Sequence, residues 1–400
     1  MSPGVFGMKI HVWVPEYTST VGGIQTFSRF VIRALRAIFP RAELEVFSKN
    51  DTSFPDPTNN STTIFRPLGW WPTRLRTAAF AAELTQRAVR ERPNLIITTH
   101  ANFAPVAHSM KSLLGIPYLA IGHGIEVWDL KQGTTWRALR AATVLAAVSA
   151  FTRDRMSSVL RLPKDAIAIL PNTFDPEEFY PDTRKPHFLL ARYRLRPDQP
   201  VILTISRLAS AERYKGYDQI LRSLAKVRER FPDVRYILGG RGPDRGRIES
   251  LVCELGLTAN VTLAGYVPDH ELRSHYNLCD VFAMPSKGEG FGIVFLEAMA
   301  CGKPVVAGNK DGSVDAVLHG QIGALVDPDS VNDIGLALVQ ILAREHPQKL
   351  LFNPDILRQK AIAVYGYDQF VGQLERILQP LTAKSEVPSS KLNECAASAE

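Results

Sequence analysis

Nothing in this sequence pairs cysteines at C-x-x-C spacing: the four cysteines stand at 253, 279, 301 and 395 of 400 residues. That scatter argues against a zinc site or a disulfide framework and fits a reducing compartment. There is also no apolar run of about 18 residues, the length a bilayer-spanning helix needs. The first residues carry no basic stretch leading into a long apolar one, so we expect neither a signal peptide nor a spanning helix. No helix-turn-helix, zinc or aromatic-stacking signature accompanies the formal net charge of +7, and nucleic acid is not expected as a partner. Even the dinucleotide fingerprint is missing: Gly239-Gly240-Arg241-Gly242-Pro243 has Arg245 where the third glycine would stand.

What is there is a globular composition, 45% hydrophobic with 22% charged residues, on a chain long enough for two cores. The positive charge is spread along the chain and favours anionic partners, a nucleotide diphosphate or an anionic membrane surface. The stretch that organises the rest is residues 285–313. Residues 280–284 read as a short buried strand and 304–307 as the next, so a turn and a helix lie between them. Gly288, Gly290 and Gly292 supply the turn, and two of them flank Phe291, leaving backbone amides open to close approach. A helix starting near Ile293 adds unpaired N–H groups, which makes an anion site. Glu289 stands on the loop and Glu297 about one turn into the helix, which Gly302 and Pro304 end. Carboxylates beside such a site repel the anion itself; they accept hydrogen bonds from hydroxyls, such as those of a sugar ring and a ribose.

A single Glu would ordinarily be a solvated surface charge. The pair Glu289 and Glu297, the interleaved Gly290-Phe291-Gly292 and the continuation Ala298-Met-Ala-Cys-Gly-Lys-Pro-Val-Val306 together resemble the signature of retaining GT-B glycosyltransferases of family 4, also called glycosyltransferase group 1. The resemblance covers nearly the whole chain, more strongly over residues 201–343 than before Asn172. It implies an α/β fold of the GT-B kind, with two doubly wound, Rossmann-like domains facing across a cleft. We expect an acceptor-side domain over residues 1–181 and a linker over 182–199, where prolines cluster. A nucleotide-sugar-binding domain follows over 200–364, then a helix crossing back over 365–380 and a disordered tail over 381–400.

Along the first domain, strands are expected at 9–14, 44–48, 95–99, 118–121, 144–148 and 167–170, with a surface loop at 51–61. Gly22-Gly23 precedes a helix over 27–38, the first strand–glycine–helix unit. The family resemblance places this glycine loop against the donor diphosphate and the acceptor. A basic helix within 70–92, carrying Arg74, Arg76, Arg87, Arg90 and Arg92, has the pattern of a lipid-surface helix; the alternative is a docked helix with a solvated face. His123, between Gly122 and Gly124 at a strand end, matches the family histidine that touches the donor sugar. Pro171-Asn172-Thr173-Phe174-Asp175 departs from the family's Asn-Gly-Val-Asp, and no role is given to Asn172.

In the second domain a strand at 201–205 leads into Arg207 and Lys215, two cations for the departing diphosphate, and a helix over 217–230. Arg213 could replace either. The Gly240 loop is placed near the nucleotide, and Tyr266 flanks the base by resemblance. Asp327-Pro-Asp329 matches a D-x-D metal motif formally; we read it as a helix cap. The resemblance thus implies a hexosyltransferase that uses a UDP- or GDP-linked sugar, retains configuration, builds a glycan or glycolipid, and needs neither metal nor other cofactor. Its catalytic residues would be His123, Glu289, Arg207 and Lys215. The donor would be held by Gly22, Gly23, Arg207, Lys215, Tyr266, Gly290, Phe291, Gly292 and Glu297. The protein would be cytoplasmic, with membrane contact at the cytoplasmic face as a further expectation. A GT-B nucleotide-sugar epimerase and a catalytically silent nucleotide-sugar binder stay open as alternatives.

Overall fold

Two all-parallel sheets form the frame of the computed structural model, which describes residues 7–18, 22–53 and 62–382. The first runs β3-β2-β1-β4-β5-β6-β7, with β1 at Lys9–Val14, β2 at Glu43–Ser48, β3 at Thr63–Pro67, β4 at Leu95–Thr98, β5 at Tyr118–Gly122, β6 at Val144–Ala147 and β7 at Ile167–Ile169. The second runs β10-β9-β8-β11-β12-β13: β8 is Val201–Ile205, β9 Arg235–Gly239, β10 Val261–Gly265, β11 Val281–Met284, β12 Val305–Gly308 and β13 Ala324–Val326. Helices cover both faces of each, which is why strands such as Val281–Met284 are buried along their whole length. In both sheets the strand order reverses beside the first strand, between β1 and β4 and between β8 and β11. Loops leaving the carboxyl ends at such a reversal open a crevice, the usual ligand site of an open α/β sheet.

Several elements were not expected from the sequence, β3 and the helix Ala104–Leu114 among them. β3 is a half-buried edge strand ending in Pro67, tolerable only because an edge needs no further ladder bond. The helix Ala104–Leu114 has a proline in its first turn and Gly115 in the left-handed region at φ 72°, start and stop signals that its irregular apolar spacing obscured. Residues 182–199 are docked rather than free: the helix His187–Tyr193 lies there, Tyr193 bonds His275 at 2.8 Å, and Lys185 pairs with Asp280 at 2.7 Å. Asp327-Pro-Asp329 does not cap the following helix. Ser330 does, accepting from the Asp333 N–H, while Asp327 pairs with Lys310 and Asp329 with Lys287 and Lys310.

The chain joins the two layers at one end. Phe174 bridges to Gly366, the Thr173 hydroxyl donates to the Tyr365 carbonyl at 2.7 Å, and the helix Tyr367–Thr382 lies on the helix Gly23–Ile38, Phe370 edge-on to Phe27. Cys253, Cys279 and Cys301 are free thiols; Cys395 and the tail from residue 383 lie outside the described residues. No helix among the described residues is long and apolar enough to cross a membrane.

Candidate functional site

The loops after β8 and β11 meet at the second sheet's reversal point. Gly216 makes this contact possible: it adopts φ +83°, and a Cβ there would stand 2.3 Å from the Pro285 carbonyl oxygen. The Lys287 N–H donates to the Tyr214 carbonyl at 2.9 Å, fixing one loop on the other. Lys215 Nζ consequently lies 2.7 Å from Glu289 Oε1, with both side chains about 15% exposed. Burial is the largest single influence and opposes the ammonium, but the charge and hydrogen bond of Glu289 together with Tyr214 and Glu212 outweigh it and hold the Lys215 pKa above its ordinary value. Arg207, at the end of β8 and 69% exposed, reaches Glu212 at 2.5 Å.

Asp311 shapes the glycine turn. Its carboxylate accepts from the Glu289 N–H at 2.7 Å, the Ser286 hydroxyl at 2.7 Å and the Ser313 N–H at 2.9 Å. The Phe291 ring is buried against Tyr365, so Phe291 offers a ligand only its backbone. Gly292 stands at φ +93° as the residue before the helix Ile293–Ala300. The N–H groups of Gly290, Phe291 and Gly292 donate to no protein acceptor among the described residues. These three unpartnered amides follow Glu289, the partner of Lys215, along the same loop, and can donate to anionic oxygens.

Glu297 lies deeper on the same helix, 7% exposed, accepting from the Tyr276 hydroxyl at 2.6 Å. Burial pushes its carboxyl up to about 8, against the opposing pull of that hydroxyl. The unfolded chain gives up this proton near 4.5, whereas the folded chain keeps it to about 8. The contribution to stability is therefore complete below the unfolded value and lost as pH rises through the folded one, at roughly 1.4 kcal/mol per pH unit in between. Thermal unfolding of wild type and Glu297→Gln, followed from pH 5 to 9, checks this: the wild type is expected to lose stability over that range more steeply than the variant. Parallel curves would place the proton elsewhere.

On the facing side, Gly22 and Gly23 start the helix Gly23–Ile38, directly after residues 19–21, which lie outside the described set. His123 follows β5, 8% exposed; its Nε2–H donates to the Thr99 carbonyl at 2.8 Å, its N–H to Glu126 at 2.5 Å, and Phe27 abuts its ring. Burial lowers its pKa, so the ring is neutral with Nδ1 as the remaining acceptor. The two sides touch here: the Thr152 hydroxyl donates to the Gly290 carbonyl at 3.3 Å, and the Phe151 N–H to Asp315 at 2.9 Å.

Comparison with known proteins bears on this arrangement. The family profile described as Glycosyl transferases group 1 matches residues 188–352, and that described as Glycosyltransferase Family 4 matches residues 21–178. The chain belongs to the group 1 glycosyltransferases of family 4. Among relatives, it is 36% identical over 236 residues to the GDP-mannose-dependent alpha-(1-6)-phosphatidylinositol monomannoside mannosyltransferase of Mycolicibacterium smegmatis; that match spans 56% of this chain and 60% of the relative's length. It is 25% identical over 84% of its length to the GDP-mannose-dependent monoacylated alpha-(1-6)-phosphatidylinositol monomannoside mannosyltransferase of Corynebacterium glutamicum, covering 88% of that protein. In fold it resembles sucrose-phosphate synthase from Thermosynechococcus elongatus (TM-score 0.77, 22% identity, 94% of this chain and 100% of that one). It also resembles Anabaena HepE in complex with UDP and glucose (TM-score 0.75, 20% identity, 93% and 100%). The two parallel sheets are thus the two Rossmann-like domains of the GT-B fold.

In this family member, Arg213 does not stand in for Arg207 or Lys215, because it forks onto Asp244 at 2.7 and 3.2 Å, turned away from Glu289. Tyr266 is half-exposed under the Arg241 guanidinium, 4.7 Å from ring centre, where β9 and β10 end. Asn172 is buried with its Oδ1 lacking a partner among the described residues. Sequence reasoning missed Glu212, Asp311 and Tyr276. Asp311 sits inside the signature stretch and Glu212 beside Lys215, but their partners come from the fold, not from spacing. His11, Glu45 and Glu91 gather within 4.8 Å in the first domain, but Lys9, Arg66 and Arg87 pair with these carboxylates, which balances their charge without an ion.

Proposed function

We propose that this chain transfers a hexosyl group from a UDP- or GDP-linked sugar to a glycan or glycolipid acceptor, with retention of configuration and without a metal ion. The observation that carries this is the Lys215–Glu289 ion pair on a loop with three amides lacking a protein acceptor among the described residues, at the second domain's reversal point. That set supplies positive charge for a diphosphate and a carboxylate for sugar hydroxyls in one place. The mannosyltransferase relatives' names make GDP-mannose the first donor to try.

In this reading the bond between the anomeric carbon and the diphosphate oxygen breaks, and the diphosphate leaves with the electron pair. Lys215, Arg207 and the amides at Gly290–Gly292 stabilise the growing negative charge. The acceptor hydroxyl attacks on the face the diphosphate leaves, and its proton passes to the departing phosphate oxygen. Glu289 holds hydroxyls of the transferred sugar and Glu297 the ribose diol, while neutral His123 presents Nδ1 as an acceptor toward the sugar. Membrane contact falls to the helix Thr73–Glu91. Phe80, Leu84 and Ala88 dock it, Trp70, Leu75 and Val89 are exposed, and Arg74 and Arg90 make no ion pair among the described residues.

The test is thermal unfolding of the purified protein with GDP, UDP, ADP and dTDP in turn, alongside co-sedimentation with anionic and neutral vesicles. At about 100 times its dissociation constant the cognate nucleotide stabilises the fold by about 2.7 kcal/mol. One base is expected to do so, and no shift with any of the four would remove the nucleotide-sugar reading. Equal sedimentation with both vesicle types would remove the anionic-surface contact. Release of the free epimer from the donor alone, with no acceptor, would favour an epimerase.

A further inference from the structure

The site holds its own anion. Glu212 lies where two turns of the segment Ser210–Lys215 join, at φ −112°, outside helical geometry. From there its carboxylate reaches Arg207 Nη2 at 2.5 Å through Oε1, and Oε2 stands 3.6 Å from Lys215 Nζ. The side chain is only 12% exposed, and Oε2 has no hydrogen-bond partner among the described residues. These are the two cations to which the proposed function assigns the diphosphate.

The charge count makes this consequential. Arg207, Lys215, Glu212 and Glu289 sum to zero, so the cleft offers an incoming diphosphate no net attraction from these four side chains. Glu289 is not the surplus partner: it sits on the glycine loop, locked by Asp311 through its backbone, and pairs directly with Lys215. Glu212 is the surplus carboxylate. It bridges both cations, holds Arg207 by a single ion pair, and faces Lys215 at 3.6 Å through an oxygen that makes no hydrogen bond among the described residues. A diphosphate oxygen that takes Arg207 and Lys215 must displace it, because two anions at one pair of cations repel.

We propose that Glu212 is an internal competitor of the diphosphate, a positioning residue that keeps Arg207 and Lys215 aligned in the empty cleft and reclaims them as the nucleoside diphosphate leaves. This rests on the nucleotide-sugar reading above. It sets nucleotide affinity below what the two cations alone would give, and it ties product release to re-formation of the Glu212–Arg207 pair. A role limited to holding the loop predicts the opposite sign, since loosening the cations would weaken binding.

Isothermal titration of wild type, Glu212→Gln and Glu212→Ser with GDP, UDP, the matching monophosphates and inorganic pyrophosphate separates the two. Both variants are expected to bind the cognate diphosphate about tenfold more tightly, and pyrophosphate more tightly as well, with a smaller gain for the monophosphate. The serine variant stands in if the glutamine variant does not fold, and circular dichroism reports which variants do. Unchanged or weaker diphosphate binding by a folded variant, with wild type binding normally, overturns this inference and leaves the proposed function intact. Failure of the wild type to bind any of these ligands removes both.

Discussion

Lys215→Ala is expected to slow glycosyl transfer by about 10²–10³-fold, the effect of deleting one preorganised donor at a site of developing charge, about 2.7–4 kcal/mol. The argument rests on where this lysine lies. It is largely buried, its ammonium is fixed by Glu289 at 2.7 Å, and burial's tendency to discharge it is outweighed by Glu289 together with Tyr214 and Glu212. A charge held in place before the reaction needs no reorganisation when the diphosphate begins to leave, so it acts on the transition state more than on the ground state. Arg207 is expected to matter less per charge, since it is 69% exposed and solvent shares its work. The alanine variant also strands Glu289 without its partner, and an orphaned buried charge destabilises the fold in its own right. The double variant Lys215→Ala/Glu289→Gln removes that orphan. Comparing kcat/KM with thermal midpoints in both then separates lost catalysis from lost structure. Transfer by a folded Lys215→Ala protein within about fivefold of wild type, less than about 1 kcal/mol, would take the leaving-group role away from this residue.

Much of this arrangement was legible because its determinants are local. A strand, three alternating glycines and an apolar helix follow one another between residues 281 and 300, and each announces itself by composition. The start at Ile293 and the placement of Glu289 and Glu297 depend on nothing further away. Arg213 shows where that stops. Lys215 and Arg213 are two residues apart on one turn, and which of them faces Glu289 depends on Asp244, which draws Arg213 to the other side. Tyr276 and Glu297 meet across 21 residues of sequence, and Asp311 reaches back 22 residues to the Glu289 amide. Long-range hydrogen bonds of this kind leave no periodicity behind. Residues 182–199 lie between the two sheets in the chain, and the docking of that segment was not legible because its contacts come from His275 and Asp280, far along the sequence.

Gly290→Ala is expected to cost about 10²-fold or more in transfer while leaving nucleotide binding within a few-fold of wild type, because a displacement near 1 Å is enough to spoil a reacting geometry. Here the two domains meet backbone to backbone. A Cβ on Gly290 would fall 1.5 Å from the His123 carbonyl oxygen, 2.6 Å from its carbon and 3.2 Å from the Gly124 Cα. None of these is the end of a flexible side chain, so the methyl group finds room only if the loop carrying His123 retreats as a unit. That retreat also stretches the Thr152–Gly290 hydrogen bond and moves His123 off the site. In the proposed function the cations and amides assigned to the diphosphate at Arg207, Lys215 and Gly290–Gly292 belong to the second domain, as do Glu297 and Tyr266, so a parted cleft leaves them in place and withdraws only Gly22 and Gly23 from the diphosphate. Measuring kcat/KM for transfer together with the dissociation constant of the nucleoside diphosphate therefore isolates the first domain's contribution. Equal loss in both would mean that Gly290 serves the second domain's own loop. Wild-type transfer would mean that the domains react from a more open arrangement, with His123 too far from the sugar to touch it.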